Sequence, residues 1–286
     1  MRRIALYSDI HGNVPALEAV VADIDRAGAG ERYCLGDLVG YGPDPTGVIE
    51  RIRASGVPTI RGNYDQGVGD RSGACGCYYP TDQAKSDGAS SYEFTERSVG
   101  DEDAAWLLGL HDEIRIEEAG VRILLTHGSP RRINEYLMPD RGEKQLLRLA
   151  REAAADVVCT GHVHIPYHRS FPDVGAAEVA AEGADAVMLD GAADGAGQRM
   201  VHYVNSGSVG KPKDGDPRAC WVELLVGSAE EVRAAAPDDG YAASAGESPA
   251  WVGLRIHRVA YDIETVTSAM TAAGLPETLA ESLRTA

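Results

Sequence analysis

The sequence predicts an α/β fold, and two observations carry this prediction. Short apolar runs of β-forming residues alternate with stretches of helical periodicity in the N-terminal part. Asp, His and Asn residues come just after several of these runs. Side chains at the ends of successive strands converge in space although they lie far apart in the chain, so the same pattern points to one functional site.

The first elements read as β-α-β-α-β, which predicts a largely parallel start. Asn13 is a suitable N-cap for the first helix, and Gly28 ends it. Asp44 and Pro45 begin the second helix, and Gly56 ends that one. Strands are expected at residues 3–8, 32–35, 57–60, 121–126, 156–160, 200–205, 218–226 and 253–261.

Further helices are expected over residues 81–97, after an N-cap at Asp101, over residues 142–155 and in the C-terminal stretch 262–284, where Pro276 starts the last helix. Closely spaced strands follow His164, so the second half of the fold should be antiparallel or mixed.

The whole chain, residues 1–286, is expected to form a single domain. Residues 66–100 make a long polar connection of the kind that serves as a lid. Residues 173–199 and 227–250 are rich in Ala, Gly, Asp and Glu with little periodicity, so we expect them to be surface insertions.

Composition limits the classes of function. A net charge of −17 and a pI near 4.8 disfavour binding to nucleic acid. Of the five cysteines, Cys34 and Cys159 fall in apolar strands, which favours a reducing compartment. The apolar stretch after Met1 is too short for a signal sequence, and no segment is expected to span a membrane. A cytoplasmic location is therefore expected.

Candidate metal ligands follow the predicted strands. Asp9 and His11 are two residues apart, so both side chains leave one face of a strand end. The carboxylate of Asp37 has two oxygens and could bridge a pair of cations. Mixed nitrogen and oxygen ligands suit Mn, Fe, Zn or Co better than Ca or Mg. The candidate ligands are Asp9, His11, Asp37, Asn63, His127, His162 and His164.

Two such ions, typically about 3.5 to 4 Å apart, share a water molecule whose pKa falls toward about 7. The resulting bridging hydroxide can attack phosphorus in line, while the ions neutralise the charge that develops on the equatorial oxygens. The ligand set therefore suits hydrolysis of phosphate esters.

These motifs, in this order, resemble the calcineurin-like metallophosphoesterase superfamily. The resemblance extends from Ile4 to about Asp216. Three further stretches resemble its small bacterial phosphodiesterase branch: Gly40-Tyr41-Gly42-Pro43, the segment from Ser129 to Tyr136 and the segment from Asn205 to Pro212. The fold implied is a four-layer α/β/β/α sandwich with mixed sheets.

The resemblance also implies the metal assignment. The first ion is held by Asp9, His11, Asp37 and His164, and the second by Asp37, Asn63, His127 and His162. Asp37 bridges the two. Two divalent transition ions are implied as cofactors, Mn foremost, with Fe, Zn, Co or Ni as alternatives.

Tyr64 departs from the family pattern, because many relatives have a His there that protonates the leaving group or steadies the phosphoryl group. A phenol with a pKa near about 10 is a poor acid at pH 7. We therefore expect phosphodiesters with good leaving groups to be preferred over phosphomonoesters, with Tyr64 contacting the phosphate. The catalytic residues expected are Asp37, Asn63, Tyr64 and His127.

Several other residues have two interpretations. Arg131 and Arg132 could clamp a substrate phosphate or form surface ion pairs, with Arg131 slightly favoured as the clamp. Asp65 is expected to orient Asn63 or a histidine. Cys75 and Cys77 are expected to be two thiols, because a disulfide across one residue is strained.

Lys211 and Lys213 are expected in a solvated loop. The substrate expected is a small-molecule or phosphoprotein phosphate ester, and the sequence does not indicate the oligomeric state. The alternatives are a partner-binding scaffold without catalysis, a protein phosphatase or a nuclease. The complete ligand set favours an enzyme over the scaffold.

Overall fold

The computed structural model describes residues 1–173, 199–237, 240–243 and 249–286. Within these ranges, ten strands form two five-stranded sheets. The strands are β1 (Arg2–Tyr7), β2 (Glu31–Cys34), β3 (Glu113–Glu118), β4 (Val121–Thr126), β5 (Val157–Thr160), β6 (Tyr167–Pro172), β7 (Met200–Asn205), β8 (Ala219–Gly227), β9 (Gly240–Ala242) and β10 (Trp251–Val259). The helices are α1 (Val14–Ala27), α2 (Pro45–Ser55), α3 (Asn63–Gly69), α4 (Asp82–Ser98), α5 (Asp101–Leu108), α6 (Glu143–Glu152), α7 (Ala229–Ala235), α8 (Ile263–Ala272) and α9 (Glu277–Thr285).

Both sheets are mixed. The first has the order β2-β1-β8-β10-β9, in which β1 and β2 are parallel and the other pairs are antiparallel. The second has the order β3-β4-β5-β7-β6, in which β4, β5 and β7 are parallel and the edge strands are antiparallel. The parallel start and the mixed second half are confirmed.

The two sheets pack face to face, with helices outside. Ile4 and Leu224 of the first sheet lie in one apolar cluster with Ile123 and Val204 of the second. Helices α1 and α2 pack on the outer face of the first sheet. Helix α6 covers the outer face of the second. The structure is therefore the expected α/β/β/α sandwich.

The helix signals in the sequence are confirmed at several ends. Asn13 and Asp44 accept hydrogen bonds from backbone N–H groups in the first turns of α1 and α2. Gly28 and Gly56 end these helices in the left-handed conformation. Asp101 is the first residue of α5 rather than its N-cap, which is Gly100.

Other elements differ from expectation. Residues 57–60 form no strand, because Thr59 and Ile60 pair only through isolated bridges. Strands β3 and β6 and helix α3 were not expected. Ser228 caps α7 inside the expected insertion 227–250, and Val232 of that helix is buried. Most of the other expected insertion, residues 173–199, lies outside the described residues.

No helix in the described part of the chain is both long enough and apolar enough to cross a membrane.

Candidate metal centre

The structure brings all seven predicted ligands together at the ends of strands from both sheets. Each is buried, with at most 3% of the residue exposed. They form two clusters that share one carboxylate. The members are Asp9, His11, Asp37, Asn63, His127, His162 and His164.

The first cluster contains Asp9, His11 and His164, whose ligand atoms all lie within 4.8 Å of one another. His11 Nε2 and His164 Nε2 are 3.2 Å apart. Asp9 Oδ1 lies 3.3 Å from His164 Nε2. Two nitrogen ligands of one ion, each bonded at about 2.1 Å, have a comparable separation. The cluster therefore has the dimensions of a metal site.

The second cluster contains Asp37, His127 and His162, also within 4.8 Å of one another. Asn63 joins it, because its Oδ1 is 3.0 Å from His127 Nε2. His162 lies against the first cluster through its backbone, whose N–H donates to Asp9 Oδ2 at 3.0 Å. The two clusters are therefore contiguous.

Asp37 stands between the clusters. Its Oδ2 is 3.8 Å from His11 Nε2 in the first cluster and 3.4 Å from His127 Nε2 in the second. Its Oδ1 instead accepts a hydrogen bond from the backbone N–H of Tyr64 at 2.8 Å. Oδ2 is therefore the Asp37 atom that lies between the two clusters.

Hydrogen bonds on the far side of the imidazoles orient the rings. Nδ1 of His11 contacts the carbonyl oxygen of Val39 at 2.8 Å, and Nδ1 of His127 contacts that of Leu35 at 2.7 Å. Since a carbonyl oxygen only accepts, the proton belongs on Nδ1. In the neutral ring, Nε2 then has its lone pair facing the centre, as in metal-bound histidines.

Burial adjusts the charge of the imidazoles. It lowers the pKa of His11 to about 3, and it places the pKa values of His162 and His164 well below their usual range. These three rings are therefore neutral at pH 7, which is the form that binds metals. Burial also opposes the charged form of His127, but the adjacent Asp37 carboxylate raises its pKa to about 10.

The backbone at the centre is strained. Five of the seven ligands have positive φ angles, although none of them is glycine. Such conformations cost of order 1 to 3 kcal/mol each and collect at functional sites. Contacts elsewhere in the fold must offset this conformational energy at Asp9, His11, Asp37, His162 and His164.

The donor set fits two divalent ions. His162 Nε2 is buried and, among the described residues, has no hydrogen-bond partner. Such an atom is costly to leave unpaired, and a metal ion would satisfy it. Four imidazoles, one amide oxygen and two carboxylates suit Mn, Fe, Zn, Co or Ni better than Ca.

Asp65 holds two ligand loops together. Its carboxylate accepts hydrogen bonds from the backbone N–H groups of Asp37, Leu38 and Gly62, each at 2.9 Å. It was expected to orient Asn63 or a histidine, but it instead positions the backbone around Asp37. Burial, reinforced by the charge of Asp37, raises the pKa of Asp65. A Cβ at Gly62 would lie 2.1 Å from Asp37 Oδ1, so only glycine permits this approach.

The segment after α3 contacts Asn63 directly. Asn63 Nδ2 donates to the carbonyl oxygen of Cys75 at 3.0 Å and to Cys77 Sγ at 3.2 Å. These bonds leave Oδ1 facing the second cluster. Cys75 and Cys77 form a disulfide, so the expectation of two thiols was wrong. Gly76 has a φ of +69°, which turns the chain so that the two Cα atoms are 5.4 Å apart.

Tyrosines surround the imidazoles, and the sequence assigned a role only to Tyr64 among them. Tyr41 packs edge-on against His11, with ring centroids 4.8 Å apart. Tyr136 lies on His162 at 4.0 Å. Tyr64 is also buried against His11, and its hydroxyl lies 3.4 Å from that of Tyr79. Tyr41 and Tyr136 lie in two of the stretches that resemble the phosphodiesterase branch, and this resemblance was the signal that pointed to them.

The two arginines are in different situations. Arg131 is exposed and forms an ion pair with Glu135, whose pKa this contact lowers to about 2. Arg132 is exposed and has no ion pair within the described ranges. A substrate contact stays a prediction for both arginines. Of the two, only the Arg132 guanidinium lacks an ion pair in the described part of the chain.

The loop after β7 supports the centre. Asn205 Nδ2 donates to the carbonyl oxygen of Gly161, next to His162. Lys211 is buried, contrary to the expectation of a solvated loop, and its carbonyl oxygen contacts His164 Nδ1. Lys213 is exposed, as expected.

With this geometry established, similarity to known proteins identifies the family. The calcineurin-like phosphoesterase superfamily domain matches residues 2–225, which include every ligand described above. The chain belongs to this superfamily. The buried paired clusters agree with membership, so the protein is a metallophosphoesterase.

Two relatives are similar in sequence to parts of the chain. The uncharacterized protein MJ0912 of Methanocaldococcus jannaschii is 30% identical over 220 residues, which are 76% of this chain and 80% of that protein. Phosphodiesterase YfcE of Escherichia coli is 36% identical over 78 residues, which are 24% of this metallophosphoesterase and 42% of YfcE.

Two crystal structures resemble the whole chain. A metallophosphoesterase from Sphaerobacter thermophilus has a TM-score of 0.63 and 26% identity, covering 99% of this chain and 98% of that one. The hypothetical protein PH1004 of Pyrococcus horikoshii OT3 has a TM-score of 0.68 and 20% identity, with the same coverage, and supports the fold alone.

Proposed function

We propose that this metallophosphoesterase hydrolyses phosphodiesters in preference to phosphomonoesters, with two divalent transition ions, manganese foremost. The observation that carries the proposal is the position of Asp37 Oδ2, within 4 Å of an imidazole nitrogen of each cluster. When bound, two such ions lower the pKa of a water molecule toward about 7 and so supply a hydroxide nucleophile at neutral pH.

The residues of the chain position the ligand atoms and bury them away from water. Asp37, Asn63 and His127 present their ligand atoms from three different loops, and the hydrogen bonds of Asp65 and Cys75 hold two of these loops. Burial excludes water from the ligands and strengthens their interaction with cations. The preorganised ligands therefore do not have to rearrange while charge develops on the phosphoryl oxygens.

Tyr64 supports the preference for diesters. Burial raises the pKa of its phenol above the usual value, so it is a poor proton donor at pH 7. A poor leaving group needs protonation by the enzyme, whereas an aryl oxide leaves without it. Aryl phosphodiesters should therefore react faster than alkyl phosphomonoesters.

The decisive experiment measures hydrolysis of bis(p-nitrophenyl) phosphate by chelator-treated protein reconstituted with Mn, Co, Ni, Zn or Fe. Metal content is determined in parallel, and an alkyl phosphomonoester is the second substrate. We expect turnover that requires metal and is faster with the diester. If protein that binds two ions hydrolyses neither substrate, a partner-binding scaffold becomes the better interpretation. Equal rates on both substrates contradict only the diester preference.

Tyr64 has its own test. Tyr64→His is expected to raise the monoester rate relative to the diester rate, because an imidazole can protonate the leaving oxygen. Tyr64→Phe retains the ring against His11 and removes the hydroxyl. An unchanged diester rate in Tyr64→Phe would exclude the proposed contact between this hydroxyl and the phosphate.

A further inference from the structure

One face of the C-terminal helix α9 is hydrogen bonded to two other parts of the fold. Thr278 and Ser282 are four residues apart, so their side chains lie on the same side of the helix. The hydroxyl of Thr278 donates to Asp87 of α4 at 2.7 Å. The hydroxyl of Ser282 accepts a hydrogen bond from Lys211 Nζ at 2.8 Å. Helix α9 is therefore bonded to α4 and to the loop of residues 206–213, which follows β7.

The side chain of Lys211 is in an unusual environment for a lysine. The residue is buried, and within the described ranges its Nζ has no ion pair. Burying such a group without a carboxylate partner is costly, so its few contacts need an explanation. Burial lowers the pKa of Lys211 to about 7. The bond to Ser282 does not depend on the charge, because a neutral amine also donates.

The backbone of Lys211 lies between two ligands of the first cluster. Its carbonyl oxygen contacts Nδ1 of His164. Because a carbonyl oxygen only accepts, this contact fixes the proton on Nδ1 and directs Nε2 of the neutral ring to the cluster. The N–H of Lys211 donates to Ser208 Oγ at 2.8 Å, and this hydroxyl donates to the carbonyl oxygen of Asp9 at 2.8 Å.

The side chain of Lys211 reaches the other histidine of the first cluster through Tyr41. Nζ lies 5.3 Å from the centroid of the Tyr41 ring, a favourable position over an aromatic face. That ring packs edge-on against His11, with centroids 4.8 Å apart. The backbone N–H of Tyr41 donates to Ser91 of α4 at 2.6 Å. Lys211 therefore contacts His164 directly and supports His11 through Tyr41.

The second cluster is supported by different contacts. Nδ1 of His127 contacts the carbonyl oxygen of Leu35, and Nδ2 of Asn63 donates to that of Cys75. Neither contact involves Lys211. Loss of the Lys211 amine should therefore affect the two clusters unequally.

We propose that Lys211 is a positioning residue for the first metal ion, and that its bond to Ser282 couples the docking of α9 to the orientation of His164 and His11. The proposal rests on the proposed function only in taking divalent ions as the ligands of the clusters. Removing a group that holds a metal ligand typically weakens metal binding by about 10- to 100-fold. The amine acts through one further contact, so we expect the lower end of this range.

The test uses proteins that keep one complete cluster. His162→Ala removes a ligand of the second cluster, and His164→Ala removes one of the first. Lys211→Met is added to each background, because methionine keeps an unbranched apolar side chain and removes the amine. Manganese affinity is measured by calorimetry, and the melting temperature is recorded for each protein.

The effect should be specific to the first cluster. In the His162→Ala background, Lys211→Met should bind manganese about tenfold more weakly. In the His164→Ala background, the change should be less than about threefold, as for sites that share no contact. In the protein with both clusters intact, Lys211→Met should lose occupancy of one ion and retain the other, which covers the case where an isolated site binds too weakly.

Two variants of α9 separate this role from general docking of the helix. Ser282→Ala removes the hydrogen-bond acceptor of Lys211, and the matched control Thr278→Ala removes the bond to Asp87 on the same face. In the His162→Ala background, Ser282→Ala should weaken manganese binding by about three- to tenfold, the usual contribution of one hydrogen bond. Thr278→Ala should stay within about twofold.

Three outcomes overturn the proposal. One is unchanged manganese affinity when Lys211→Met is added to the His162→Ala background. The others are an equal loss in both backgrounds and an equal loss in Ser282→Ala and Thr278→Ala, because each would indicate a general effect on the fold. If wild type binds two ions and hydrolyses no ester, the proposed function fails, whereas a loss confined to the first ion in Lys211→Met still supports the positioning role.

Discussion

The two ligand clusters differ in what holds them. The first cluster contains Asp9, His11 and His164. It is held by the loop of residues 206–213, which follows β7 and is hydrogen bonded to Asp9 and His164. The second depends on Asn63, which is held by the segment containing Cys75 and Cys77. The segment after α3 thus contributes to the second cluster.

The clusters also differ in charge. The first has the carboxylate of Asp9 in addition to the shared Asp37, whereas the second adds only the neutral amide of Asn63. A cation is held more firmly where more carboxylate charge faces it. The first site should therefore bind its ion more tightly and fill first in a titration.

The largest effect is expected from Asp37→Ala, which removes the carboxylate shared by both clusters. Affinity for both ions should fall by more than about 100-fold. A loss of up to about 100-fold is typical when only a residue that hydrogen bonds to a metal ligand is removed. Measuring bound manganese and diester hydrolysis tests this, with Asp25→Ala on the exposed face of α1 as the control. Retention of one tightly bound ion would show that the clusters do not share Asp37.

Single histidine variants separate the clusters. His164→Ala should weaken mainly the first ion and His162→Ala mainly the second, each by more than about 100-fold. Metal content at several free manganese concentrations, determined for both variants, distinguishes the two patterns. Identical loss profiles would contradict the assignment of these histidines to different ions.

Cys77→Ala should have a smaller effect, confined to the second ion. It breaks the disulfide and removes one hydrogen-bond acceptor of Asn63 Nδ2 but leaves the Cys75 carbonyl oxygen, so affinity should fall by about tenfold. Treatment of wild type with dithiothreitol is a useful parallel, because the other cysteines, Cys34, Cys159 and Cys220, are buried. An equal loss of affinity for both ions would mean that the segment containing Cys75 and Cys77 does not act through Asn63 alone.

The smallest effect is expected at the rim beside the second cluster. Arg132→Gln should raise KM for the diester by about threefold, because an exposed charge contributes little in water. Arg131→Gln should change KM less, since Glu135 already engages Arg131. Steady-state kinetics of both variants checks this order, and a larger effect at Arg131 would restore it as the better candidate for a phosphate clamp.

Sequence signals predicted structure correctly where that structure depends only on residues nearby in the chain. The caps at Asn13 and Asp44 and the stops at Gly28 and Gly56 require only neighbouring residues, and all four are confirmed. The expected strand at 57–60 failed, because its neighbours supply only isolated bridges. Strands β3 and β6 are edge strands whose pairing depends on distant partners, so their sequences alone did not reveal them.

The same division holds within the candidate site. The residue types and their places after strands predicted the seven ligands, since imidazole, amide and carboxylate groups carry their chemistry wherever they lie. The contacts of Asp65 with Leu38 and Gly62 were not predictable, because they arise from loops that meet only in the folded chain. The burial of Tyr64 and Lys211 has the same origin.

The sequence by itself determined the fold class, the family and the candidate ligands of this protein, because each depends on residue identity and order. Tertiary structure decided that one oxygen of Asp37 faces both clusters and that Cys77 contacts Asn63. These features depend on angstrom-scale approaches between loops far apart in the chain. Such approaches are set by the packing of the whole molecule.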